Sequence, residues 1–568
     1  MTPVELATAV LEAAGDAFAE RGLDSSVLPA ATTVERSRNP DHGDYSSPIA
    51  LRLAERVDLD PRDLAGAIAA KLGSVSGVKC VDVVGRGFLN VRLEPAAIGA
   101  IAGIVIARER HYGHGSSLRG EKINLEFVSA DPAGPVRLGH ARCAVVGDCL
   151  ARILRAAGAE ATCEHFTSES DPAATELGAM LRAVALGRQT SDDDCDGEYI
   201  ARIAGNLVRA NPGASDLPRE QAIRLFREEG YRAMLAETAG SIERLRVHID
   251  VWYSERTLHD SGAVDRALAG LRASGHLVDV DGAALLRTGD GDDRGDRVLV
   301  RPNGEKTSLA AAAAYHLSKR ERGFSSVLCM LGANTPADVR RRRTLVAGIG
   351  NGSDAAPTML TVASVTTFAA GTAAGTATGT AERTPAGVPV GVGRRPQGTL
   401  TLDELVREAG VDTVRYFLAR SPVGAPLTLD AEVVTRQVPE NPAFAVRFAA
   451  ARCAAVSRNA RAVGVRLGER YDTGLLSDEM ELELLRTLGD FPGTVATAAK
   501  CREPYRIARY LEALAEVCHN FHDAHSMLPK GDEPVTASMR SRLWLNAATR
   551  IVLANGLGLL GVTASEQI

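Results

Sequence analysis

A chain of 568 residues with 45% hydrophobic side chains has apolar material for about three or four cores. Its formal net charge of −6 excludes a blanket polyelectrolyte binder, so any nucleic-acid surface must be a local basic patch. Nine cysteines without a C-x-x-C pair point to neither a disulfide framework nor a zinc site, and no apolar run reaches the roughly 20 residues of a membrane span.

Met1 to Glu20 is amphipathic and carries acids, which is the pattern of a surface helix and not of a signal peptide. Reduced cytoplasmic thiols follow as the expectation for the cysteines. Helices are expected over Val4 to Arg21, Pro48 to Arg56 and Pro61 to Leu72, and strand over Val81 to Leu93, giving a small α/β module. Ile123, Leu125, Phe127 and Val128 read as a buried strand; Asp131, Pro132, Gly134 and Pro135 stop it. From Leu138 onward, Ala144, Val145, Cys149 and Leu150 recur at helical spacing. This strand–turn–helix is where parallel sheets bind ligands at strand carboxyl ends, and a helix N-terminus there offers free N–H groups to phosphate. Gly139 lets a nucleotide approach the backbone and His140 adds a donor.

Residues 185 to about 300 mix amphipathic helices with the acidic run Asp192 to Gly197, read as a solvated loop within an insertion. Gly371 to Gly387 is low-complexity and is expected to be a flexible loop. From about residue 426 the chain reads helical to its end. His519, His522 and His525 look like a metal cluster. Three-residue steps place the outer two about 120° apart around a helix, so they are read as surface or RNA-facing, with no metal.

The stretch E-F-V-S-A-D-P-A-G-P-V-R-L-G-H-A-R (Glu126 to Arg142) resembles the nucleotide-binding signature of class I aminoacyl-tRNA synthetases in the arginyl form, roughly E-F-(V/S)-S-(A/P)-N-P-T-G-P-x-H-x-G-H-x-R. Asp131, Ala133 and Arg137 replace its Asn, Thr and first His. H-G-D-Y-S-S-P (His42 to Pro48) and G-F-L-N-V-R-L (Gly87 to Leu93) resemble the family's extra N-terminal domain, which touches the tRNA elbow. Pro48 replaces an Asn there. P-E-N-P-A-F-A-V-R-F-A-A-A-R (Pro439 to Arg452) resembles the opening of its anticodon-binding bundle, and E-A-G-V-D-T-V-R-Y-F-L-A-R-S (Glu408 to Ser421) the helix leading out of its catalytic domain. The resemblance implies an α/β fold. A Rossmann-like catalytic domain over 113–425 would sit between an N-terminal α/β domain over 1–112 and an all-α anticodon-binding domain over 426–568.

By the same resemblance, Glu126, Ser129, Asp131 and Tyr315 would bind the amino-acid substrate. Pro132, Gly134, Arg137, Gly139 and His140 would bind ATP. His140, Arg394 and Arg395 would serve catalysis, the arginines by stabilising pyrophosphate. Tyr45, Phe444 and Phe448 would meet tRNA. ATP with Mg2+ is implied as a substrate, with no tightly bound cofactor, no metal site and no membrane contact. The expected partners are tRNA and arginine or another amino acid, and the chain would act as a cytoplasmic monomer.

Several substrate-facing positions depart from the family pattern. Ser168, Glu169 and Asp171 replace an Asn, Asp and Gly. Asn334 to Asp338 replace Asp-His-His-Gly-Tyr. G-V-G-R-R (Gly391 to Arg395) stands where K-M-S-K-R is expected, although T-L-D-E-L (Thr401 to Leu405) is intact. Ser308 and Ala312 occupy the Tyr and Asp positions of the arginine pocket. A bidentate carboxylate is the natural partner of a guanidinium. Leaving that group buried without one costs about 3–5 kcal/mol. Three functions stay open on these residues. One is an arginine–tRNA ligase with a divergent site, another a catalytically impaired paralogue that binds tRNA, and the third an adenylate-forming enzyme for another amino acid.

Overall fold

The computed structural model describes residues 1–37, 39–128, 134–168, 172–188, 195–214, 216–287, 298–332, 345, 358–368 and 401–566. The chain opens with α1 (Pro3–Glu20), whose start is fixed by a reciprocal cap. The Thr2 hydroxyl accepts the Glu5 N–H at 3.2 Å and the Thr2 N–H donates to the Glu5 carboxylate at 2.8 Å. With α2 (Ile49–Val57) and α3 (Pro61–Leu72) it covers an antiparallel sheet. The strands β1 (Glu35–Arg36), β2 (Tyr45–Ser47), β3 (Val78–Val84) and β4 (Phe88–Leu93) lie in the order β1-β2-β4-β3. Leu6, Val10, Phe18, Leu64, Ile68, Leu89 and Val91 are fully buried and form this module's core. The three expected helices fall within a residue or two of their reading, and β3 starts three residues earlier than expected.

Two helices, α4 (Pro95–Gly99) and α5 (Ile101–Arg108), lead to the central sheet. Its strands are β5 (Lys122–Glu126), β6 (Glu160–Thr167), β7 (Val251–Ser254), β11 (Ser326–Gly332) and β12 (Thr358–Val362), all parallel, in the order β12-β11-β5-β6-β7. After β5 the chain crosses by α6 (Leu138–Ala156) to β6 on one side. It returns much later to β11 on the other side. The order therefore reverses between β5 and β11, and their carboxyl ends frame the crevice that such sheets use for ligands. Helix α6 packs closely because Gly147 faces Phe127: a Cβ there would lie 2.6 Å from the ring.

Between β6 and β11 lie two smaller cores. Helices α7 (Pro172–Ala185), α8 (Cys195–Ala210) and α9 (Arg219–Arg244) bury Leu181, Ile203, Phe226 and Met234 together. Then α10 (Glu255–Asp260), α11 (Ala263–Ala273) and α12 (Ser308–Glu321) pack with an antiparallel sheet of β8 (Leu277–Val280), β9 (Ala283–Leu286) and β10 (Val298–Val300).

A short parallel pair, β13 (Val365–Phe368) and β14 (Leu427–Asp430), brackets α13 (Leu402–Ala419). Strand β14 interrupts the helical reading of the region after residue 426. Its L-T-L-D alternation is too short to stand out from its flanks, and its partner lies about sixty residues earlier. Beyond it come α14 (Ala431–Thr435) and the bundle α15 (Pro442–Ala462), α16 (Glu479–Cys501), α17 (Tyr505–Ala524) and α18 (Ala537–Leu559). The bundle docks on the N-terminal module. Tyr471 Oη donates to the Gly99 carbonyl at 2.6 Å, and Tyr112 Oη to the Leu488 carbonyl at 2.9 Å. No helix among the described residues is long and apolar enough to cross a membrane.

Candidate functional site

The crevice between β5 and β11 begins at a strained residue. Val128, 6% exposed, has φ +60°, a left-handed conformation that a β-branched side chain adopts only where its surroundings impose it. Six residues past that strained end, Gly134, Pro135 and Val136 are half-buried and lead to Arg137, extended at the N-cap of α6. The Arg137 N–H donates to His140 Nδ1 at 3.4 Å. Desolvation, and then the Arg137 guanidinium, lower the His140 pKa. With Nδ1 accepting from that N–H, the neutral ring carries its proton on Nε2. Nothing lies within 4 Å of a Cβ built on Gly139. The first turn of α6 thus presents backbone N–H groups and an imidazole donor beside space open among the described residues, an arrangement suited to phosphate. Ser129, Asp131, Pro132, Arg394 and Arg395 lie outside the described residues, as do Asn334 to Asp338 and the 371–387 loop.

Two buried arginines hold this frame. Arg142, fully buried on the second turn of α6, donates to the carbonyls of Ala363 (3.0 Å), Ala425 (2.8 Å) and Pro422 (2.8 Å). It ties the turn after β5 to the segments flanking β13 and β14. Arg415, also fully buried, pairs with Asp148 of α6 and donates to the carbonyls of Leu245 (2.5 Å) and Leu560 (3.1 Å). A Cβ on Gly561 would sit 2.0 Å from this guanidinium, so only glycine fits there. Sequence reasoning quoted both arginines inside motifs without giving them a role. Their partners are backbone carbonyls from distant segments, which leave no mark in a sequence.

The face of the sheet under α12 carries paired charges. Glu126 is 1% exposed and accepts from Lys319 Nζ at 2.6 Å and from the Cys329 thiol at 3.4 Å. Tyr315 is 1% exposed and donates to Glu164 at 2.5 Å, and Arg322 reaches the same carboxylate through two N–H groups at 2.5 and 2.9 Å. Burial pushes the Tyr315 phenol well up, so it stays a donor. Glu126 and Tyr315, expected to face substrate, are thus held by internal partners in this structure. Ser308 is exposed at the start of α12 and Ala312 packs half-buried against the core that Leu258 of α10 shares. On α10, Glu255 is 3% exposed; Ser168 donates to it at 2.5 Å and His259 Nε2 lies 3.3 Å away.

The residues expected at tRNA lie elsewhere. Tyr45 is 1% exposed, so its ring is a core group. Its neighbours in the H-G-D-Y stretch join the module to the bundle: Asp44 accepts the Leu93 N–H at 2.7 Å and pairs with Arg486 at 2.9 Å. Phe448 is 41% exposed and stacks on Phe444 with centroids 5.6 Å apart, and His519 lies 5.6 Å from it. Beneath this strip, Cys453, Cys518 and His522 come together, a grouping hidden by the 65 residues between the cysteines. The signal that was present is Cys518 and His522 four apart, on one face of α17.

Residues 5–93 match the family described as arginyl tRNA synthetase N terminal domain, and residues 446–568 that described as DALR anticodon binding domain. The chain is 43% identical to an arginine–tRNA ligase of Frankia alni and 41% identical to one of Kineococcus radiotolerans, each over 570 residues and 100% of both chains. Among solved structures it is similar to a Thermus thermophilus arginyl-tRNA synthetase, with TM-score 0.73 at 19% identity over 99% of this chain and 100% of that one. It is also similar to a Plasmodium falciparum arginyl-tRNA synthetase, with TM-score 0.69 at 11% identity over 100% of both. At those identities the structural likeness bears on the fold alone.

Proposed function

The chain belongs to the arginine–tRNA ligase family, and on that premise we propose that it uses ATP to join arginine to tRNA. The observation that carries this is the relationship over the full chain, with both flanking domains matched. In the proposed reaction the arginine carboxylate attacks the α-phosphate of Mg2+-bound ATP. Pyrophosphate leaves, and a terminal ribose hydroxyl of tRNA then attacks the acyl carbon of the adenylate, breaking its bond to phosphate so that the arginyl group passes to tRNA and AMP is released. Gly134, Gly139 and the α6 N–H groups would receive the nucleotide, and His140 Nε2–H would donate to a phosphate oxygen. Catalysis of this kind is positioning plus charge stabilisation. Phe444 and Phe448 would offer stacking faces to unpaired bases of tRNA. A cytoplasmic monomer that keeps no tightly bound organic cofactor completes the proposal.

Ser308 and Ala312 favour a second reading, in which arginine is not gripped and the chain serves as a tRNA-binding paralogue or activates another amino acid. Glu255 supports the first. It is a buried carboxylate on α10, whose Leu258 shares the core that Ala312 packs against, and beyond its Ser168 and His259 contacts the carboxylate keeps lone pairs for a guanidinium. ATP–pyrophosphate exchange with tRNA present, run across a panel of amino acids, separates the readings. Exchange with arginine alone is expected. Exchange only with another amino acid, or none beside retained tRNA binding, would sink the proposal. Glu255→Gln is expected to raise the arginine KM about ten- to a hundredfold, since a charge-assisted hydrogen bond contributes about 1.5–3 kcal/mol.

A further inference from the structure

We propose that Cys453, Cys518 and His522 form a zinc site that fastens α15 to α17. Cys453 comes from α15; Cys518 and His522 share one face of α17. Cys453 Sγ lies 3.6 Å from Cys518 Sγ and 3.7 Å from His522 Nε2. The three ligand atoms all fall within 4.8 Å of one another, and they are the one such group among the described residues. Tetrahedral zinc with Zn–S of about 2.3 Å and Zn–N of about 2.0–2.1 Å needs edges of about 3.8 Å between sulfurs and about 3.6 Å from sulfur to nitrogen. The two measured edges match those lengths before any metal draws the ligands in.

The surroundings suit such an ion. Both cysteines are fully buried, and His522 is half-buried, which leaves a path for the metal and a fourth position for water. A thiolate is the form that binds metal. Asn546, fully buried, donates to the Cys453 carbonyl at 3.0 Å and keeps its Oδ1 without a partner among the described residues. That is a buried acceptor beside the cluster. Two thiolates and an imidazole select zinc over magnesium or calcium.

The test uses the full chain, reduced, loaded with zinc chloride and desalted. Elemental analysis is expected to find about one zinc per chain, and cobalt in its place to give a thiolate-to-metal charge-transfer band. Cys518→Ser is expected to abolish both. His522→Ala, on the half-exposed side, is expected to weaken zinc binding by about ten- to a hundredfold with unchanged circular dichroism, which separates ligand loss from misfolding. Zinc retained equally by Cys518→Ser would overturn the site. So would a reduced wild-type chain that takes up no zinc and closes a Cys453–Cys518 disulfide in air.

Discussion

The two faces of the central sheet treat buried polarity in opposite ways. Under α12, Glu126, Glu164, Tyr315, Lys319 and Arg322 form paired charges and hydrogen bonds across three elements. Asn124 is the exception there, with both amide atoms unpartnered among the described residues. Under α6 the packing is apolar, with Ile123, Leu125 and Phe127 against the helix, and His165 as its polar member. His165 is 1% exposed, lies tilted against Trp252 at 4.5 Å, and neither ring nitrogen finds a partner among the described residues. A charge is tolerated in a core when a partner and hydrogen bonds replace water; a titratable group without them stays neutral instead. The α12 face therefore depends on completeness of its pairs, and the α6 face on keeping the sheet's own side chains there uncharged.

The largest expected effect comes from breaking a pair. Lys319→Met leaves the Glu126 carboxylate buried without its cation, which costs about 3–5 kcal/mol. Because a chain with several cores does not unfold in two states, the loss is best read as faster hydrogen exchange at β5 and β11 amides. Adding Glu126→Gln should restore most of the protection, since the uncompensated charge is then gone. Protection that stays low in the double variant would mean that Lys319 acts through packing, and the contrast between the faces would weaken.

How much of this was legible follows from where the partners lie. The strand and the α6 start were readable, because the apolar spacing of each acts locally. The bundle was readable from its helical spacing. Lys319 as the partner of Glu126 was not, since 193 residues separate them and a lysine on a helix usually faces water. Arg142 and Arg415 kept their roles hidden for the same reason, and Glu255 came into view only once Ser168 and α12 were seen beside it. The three histidines were read together, as surface or RNA-facing, which left the cysteines out of view. The grouping that forms pairs His522 with two cysteines, one of them on another helix.

The α6 face is probed by acid. Desolvation lowers the His165 pKa from 6.5 to about 4. The unfolded chain then binds more protons than the folded one between those values. The stability this group allows is whole above pH 6.5 and is lost as pH falls toward 4. At about 1.4 kcal/mol per pKa unit, the window is worth about 3 kcal/mol. His165→Leu removes the titration, so β6 should keep its exchange protection to lower pH than in the parent chain. An unchanged acid limb would show that the imidazole is not the group that must stay neutral.

The smallest effect concerns how closely α6 approaches. A Cβ at Gly147 would lie 2.6 to 2.9 Å from three atoms of the Phe127 ring, and Phe127 is itself fully buried, so the ring has nowhere to yield. Gly147→Ala should therefore destabilise by about 1–3 kcal/mol through overpacking, even though alanine is the better helix former by about 1 kcal/mol. Phe127→Leu alone should also destabilise, by opening a cavity. Combined, the two should cost less than their sum, because the smaller side chain makes room for the added methyl, and a double-mutant cycle reads that coupling directly. If the cycle closes with no coupling, the helix is free to shift outward. The turn that ends at Gly139 and His140 would then be set by the Arg142 and Arg415 clamps instead of by contact with the sheet.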